Sequence, residues 1–174
     1  ATSTGSNWSL SIFEIIIGVL LNKLGANVYV LVCDGVLTAC QQAIYQDLEN
    51  KKNLDLTKHL CKRCHPYFIN LVKKSNLNII RYSELITNKK INEINMFANK
   101  LNIEKIKNFK LRKIHVGKHA LSGLIRYFGK VSVEDEVGFE ILLRKYFISS
   151  IITLEVTSKL FDKFNFNKYF FHHG

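Results

Sequence analysis

Apolar positions along this chain fall into blocks whose spacing predicts a succession of helices and one buried strand. Residues 12–21 form an apolar run interrupted by Glu14, and the run predicts a helix over about 12–23 with Ser9 or Ser11 as its cap and Gly25 just past its end. Residues 28–33, VYVLVC, form an unbroken β-branched and aromatic stretch of strand length. A strand that is apolar on both faces is expected inside a parallel sheet. Asp34-Gly35 turns the chain, and a helix is expected over about 36–49.

Residues 50–56 are polar and read as a loop. Residues 57–74 read as helix with a break at Pro66, which suits the first turn of a second helix. Two further helices are expected over 85–107, where Ile91, Ile94, Phe97, Ala98 and Leu101 recur at helical spacing. A short strand is expected over 111–116, and a helix with Leu121, Leu124, Ile125 and Phe128 after Gly117. A long, interrupted helical region is expected over 133–164, then a last strand at 168–172. The helix–strand–helix order with short loops predicts an α/β fold: a doubly wound parallel sheet with a helical insertion. No internal repeat or low-complexity tract is present.

Composition supports a packed core and argues against disorder, with 47% hydrophobic and 22% charged residues in a chain of 174. No apolar run reaches the roughly 18–20 residues needed to cross a bilayer. The net charge of +11 is unevenly placed: residues 1–60 carry four lysines against five acids, and residues 61–174 carry 21 Lys and Arg against nine acids. Such a half favours anionic partners, among them phosphates, nucleic acid and the anionic inner surface of a membrane. The lysines are spread rather than clustered with aromatics, and no nucleic-acid-binding signature accompanies them, so a nucleic-acid partner is the less favoured expectation. A cytoplasmic setting is expected, and the basic half favours a place at the inner-membrane surface.

The four cysteines change the picture most. Cys33, Cys40, Cys61 and Cys64 have the spacing C-x6-C-x20-C-x2-C. Two pairs with a loop-sized insert can build a four-thiolate site for zinc or an iron–sulfur cluster. With all four positions filled by thiolates a zinc is closed to substrate, hence structural. His59 and His65 are alternative ligands, and Lys62 and Arg63 offset the charge. Buried thiols without metal, two disulfides, or a haem attachment at Cys61-Lys62-Arg63-Cys64-His65 are the other readings of the same residues.

Several segments together resemble the N-terminal half of bacterial glycosyltransferases that build capsular and other surface polysaccharides. They are residues 24–28, Cys33-Asp34-Gly35 with Cys40, Cys61 and Cys64, residues 117–128, and His172-His173-Gly174. The resemblance covers nearly the whole chain. It implies a GT-B arrangement in which this chain is one Rossmann-like, acceptor-side domain over residues 1–174. The nucleotide-sugar donor would be held by a C-terminal domain outside this sequence, and the chain alone would not turn over.

Glycosyl transfer needs a base for the acceptor hydroxyl and cations or dipoles for the leaving diphosphate. Asp34, at a strand end, and His173 are the candidate bases. Gly5, Trp8, Arg126 and His172 are the candidate substrate-binding residues. Each has a plainer reading: Asp34 as a helix cap, Trp8 as packing, Arg126 as an ordinary helix-surface residue. His115 and His119 flank Gly117 at a helix N-terminus that is a candidate phosphate cradle. A zinc-stapled basic module that binds nucleic acid, and a redox protein using Cys61 and Cys64, are the competing functions.

Overall fold

The computed structural model describes residues 2–3, 8–40 and 56–170. In chain order the elements are β1 (Thr2–Ser3), α1 (Trp8–Lys23), β2 (Tyr29–Val32), α2 (Leu56–Lys74), β3 (Asn78–Arg81), α3 (Tyr82–Leu85), α4 (Asn88–Lys100), α5 (Ile103–Lys107), α6 (Val116–Phe128) and α7 (Phe139–Lys163). The described residues fall into two compact units, one from 1–36, 58–85 and 160–174, the other from 37–57 and 86–159.

The first unit is a β–α–β–α–β arrangement. Its strands lie parallel in the order β1-β2-β3, with Leu31 opposite Thr2 on one side and Ile80 on the other. Parallel neighbours need a crossover, and α1 and α2 supply one each. Val30 and Val32, two residues apart on one face of β2, pack into one core with Ile15 of α1, with Phe68, Ile69 and Val72 of α2, and with Leu77. Both helices close with the same device. At the end of α1, Gly25 (φ +90°) bonds back to Asn22 O and Ala26 to Leu21 O. At the end of α2, Asn76 (φ +54°) bonds to Lys73 O and Leu77 to Val72 O. This is the Schellman geometry, which saturates the last carbonyls while turning the chain towards the next strand.

The second unit is helical. Thr87 caps α4 by accepting from Lys90 N (3.2 Å), and Asn102 caps α5 by accepting from Lys105 N (2.9 Å). Ile106, Leu124, Leu143, Phe147 and Ile152 are fully buried, and Phe97, Phe109 and Phe147 stack edge to face in series. Gly117 allows α6 to press against α5, since a Cβ there would lie 1.9 Å from Ile106 O.

The expected doubly wound, Rossmann-like sheet does not form. Three short parallel strands make up the sheet, and after β3 the described chain is helical. The local expectations fail in specific ways. Residues 36–40 are not helical, and the rest of the helix expected over 36–49 lies outside the described residues. Residues 56–74 are one helix with Pro66 inside it. Residues 111–114 close a tight turn through reciprocal bonds between Leu111 and Ile114, with Arg112 (φ +50°) and Lys113 (φ +67°) at its centre. Residues 168–170 are not a strand, and 171–172 lie outside the described residues. The strand β3, with sequence NIIR, had no counterpart in the pattern reading, because four residues with one buried position show no usable alternation.

Candidate functional site

In a parallel sheet every strand delivers its following residues to the same edge. Here that carboxyl edge receives Cys33 and Asp34 after β2, and Tyr82 and Ser83 after β3. Asp34 reaches across: its carboxylate accepts from Ser83 N at 3.3 Å and from Ser83 Oγ in a short hydrogen bond. Asp34 therefore fastens the ends of β2 and β3 and satisfies an amide at the start of α3. It is held by a structural bond at the very place where a catalytic base was expected.

Gly35 (φ +87°) takes a conformation that glycine adopts at no steric cost, and it lies against Cys61: a Cβ built on it would be 3.6 Å from Cys61 Cβ. Cys61 and Cys64, three residues apart on α2, share one face of the helix. Burial pushes the Cys61 thiol up to about 11, and the neighbouring Cys33 and Cys64 add to the rise. A thiol so shifted stays protonated near neutrality, which is the reverse of what a nucleophilic or redox cysteine needs. His65 Nε2 is buried with no hydrogen-bond partner.

The sheet edge thus collects three of the four cysteines, while Cys40 belongs to the second unit. None of the four is in a disulfide. Among the described residues no group of three or more His, Cys, Asp or Glu side chains is placed to hold a metal ion.

The remaining sequence candidates scatter. Gly5, His172 and His173 lie outside the described residues. Trp8 is the first residue of α1. Arg126 stands exposed in the last turn of α6. The N-terminus of α6 does not offer a phosphate cradle of spare amides: Val116 N bonds to Ile114 O, and Gly117 N to Phe109 O. Partial desolvation, and then Lys110, Lys118 and His119, hold the His115 pKa below the ordinary histidine value.

The second unit contains a cleft that the sequence did not announce. Its volume is about 420 Å³, and it is walled by Asn95 and Asn99 of α4, Glu140, Ile141, Arg144, Lys145 and Ile148 of α7, and Thr38. Two carboxamides, a carboxylate, a hydroxyl and cationic side chains therefore surround one small volume. Arg144 is partly committed, donating from Nη1 to Ala98 O and to Leu101 O (2.9 Å) and so placing its charge at the negative end of α4. Thr38 is fixed by donating to Lys145 O (2.7 Å), and Ser149 accepts from Ala39 N at 2.9 Å. Ser149 is buried within the apolar stretch of α7, so its role as the anchor of residues 38–39 was hidden in a segment that reads as core. The only available signal was a polar pair, Ser149-Ser150, inside an otherwise apolar run.

No protein-family model, curated protein or solved structure matches the chain.

Proposed function

We propose that this chain binds a saccharide and serves as the acceptor-side part of a glycosyltransferase in surface polysaccharide synthesis. The observation that carries the reading is the cleft between α4 and α7. Its volume is within the roughly 300–1,000 Å³ of small-molecule sites. The side chains around it suit a neutral, hydroxyl-rich ligand. Asn95 and Asn99 offer both donors and acceptors, Glu140 accepts, and Thr38 and Lys145 add polar groups beside the apolar faces of Ile141 and Ile148. The resemblance of Cys33-Asp34-Gly35, Cys40 and the Cys61/Cys64 pair to surface-polysaccharide glycosyltransferases points the same way.

In this reading the cysteines help to hold α2 at the carboxyl edge of the sheet, and Asp34 positions the β2–β3 ends. A base for the acceptor hydroxyl is not assigned to either. The nucleotide-sugar donor is held outside this sequence.

The test is ligand-observed NMR titration of the chain with a panel of neutral and acidic mono- and disaccharides. Saturation transfer to at least one sugar is expected. Asn99 is exposed, so its replacement spares the fold. Loss of one hydrogen bond in Asn99→Ala should weaken binding about fivefold, corresponding to about 1 kcal/mol. No transfer to any sugar, together with steeply salt-dependent binding to DNA, would sink the reading in favour of a basic nucleic-acid module.

A further inference from the structure

The amino edge of the sheet, opposite the Asp34 edge, has a composition of its own. The chain turns there twice, from α1 into β2 and from α2 into β3, and the register that sets Tyr29 opposite Asn78 brings the two turns together. Asn78 Nδ2 donates to Asn27 Oδ1 at 2.8 Å and to Val28 O at 3.0 Å, linking them directly. Residues 164–169 join the same edge. Phe164 and Phe166 lie 5.8 and 5.5 Å, ring to ring, from Tyr29, and Tyr169 stacks edge to face on both Phe166 and Phe161.

These three segments expose two kinds of side chain. Leu20, Leu21, Leu24, Tyr169 and Phe170 present apolar surface to solvent, with Leu24 84% exposed. Lys23, Lys73, Lys74, Lys163 and Lys168 are exposed in the same segments. Across residues 20–29, 71–78 and 160–170 the sole acidic residue is Asp162. Lys163 Nζ lies 5.4 Å from the Phe164 ring, the pairing of cation and aromatic that suits a headgroup region.

We infer that this amino edge docks on the surface of an anionic lipid bilayer. Aliphatic and aromatic side chains that water leaves uncovered enter the boundary between headgroups and acyl chains, while the lysines around them meet lipid phosphates. Charge complementarity and apolar exposure on one edge select this occupant. Nucleic acid would use the lysines but gives leucines at the edge nothing to bury against. Among the described residues no helix is long and apolar enough to cross a membrane. The inference does not depend on the saccharide cleft, which lies in the other unit.

Flotation of the 174-residue chain with phosphatidylcholine vesicles, with and without roughly 30% phosphatidylglycerol, tests it. Binding to the anionic vesicles is expected, weakening as salt rises. Lys73→Gln with Lys74→Gln should lower the partition on the order of tenfold, and Leu24→Ser should lower it by a similar factor. None of the three residues is buried, and circular dichroism checks whether both variants fold. Lys89→Gln with Lys118→Gln removes the same charge elsewhere and should leave binding within about twofold of the parent. Equal loss in both double variants, no vesicle binding at all, or a preference for a short DNA duplex over vesicles overturns the inference.

Discussion

Cys61 sits against Gly35 with Cys33 and Cys64 close by, and burial followed by those two thiols pushes its pKa up to about 11. Alkylation by iodoacetamide requires the thiolate, so at pH 8 Cys61 should react on the order of a hundredfold more slowly than a cysteine of unshifted pKa. Residue-resolved mass spectrometry of the labelled chain checks this, and Cys61 among the first thiols labelled would contradict it. The raised pKa also has a sign for stability. The folded chain favours the neutral thiol, so its contribution is whole below about pH 9 and fades as pH rises through about 11. The C-x2-C spacing was legible in the sequence, but its meaning was not. Spacing says that two thiols share a helix face; it says nothing of the burial that decides whether they ionise. Asp34 teaches the same lesson. Its place at a strand end was readable, whereas its bond to Ser83 depends on a strand that the pattern did not reveal.

At the scale of elements, glycines in α6 set how closely helices approach. Gly117 lies against the backbone of α5, where a Cβ would meet Ile106 O at 1.9 Å and Lys107 O at 2.5 Å. Carbonyls in a helix cannot yield, so Gly117→Ala should cost about 3 kcal/mol or more. Gly123 lies under the Tyr146 ring, with the nearest carbon at 2.7 Å, and a ring can shift. Gly123→Ala should therefore cost less, about 1–2 kcal/mol. Urea denaturation gives the order, and a smaller loss at Gly117 than at Gly123 would refute the packing argument. α1, β2, α2, α4, α6 and α7 were legible along the chain, because their apolar runs are local. Local pattern misleads where distant contacts decide: residues 38–39 hang on Ser149, and the 111–114 turn places Arg112 and Lys113 at positive φ, a conformation that no local preference of those residues predicts.

For the molecule as a whole, the charge of +11 is a load on the folded state. Ion pairs among the described residues, such as Arg81–Glu84 at 3.5 Å and Lys90–Glu93 at 3.9 Å, have at least one exposed partner each and stabilise little. Screening then relieves more repulsion than it removes attraction. The unfolding temperature should rise by a few degrees between about 10 and 150 mM salt. A fall, measured by circular dichroism at constant pH, would mean that native ion pairs outweigh the net charge.

By itself the sequence determined the local grammar: apolar blocks long enough for helices, a strand apolar on both faces, a helix stop at Gly25, and an excess of positive charge. Those features depend on neighbours a few residues away. The extent of the sheet, the partner of Asp34, the ionisation of Cys61 and the cleft between α4 and α7 were decided by the tertiary structure. Each depends on which distant segments meet, and periodicity along the chain carries no record of that.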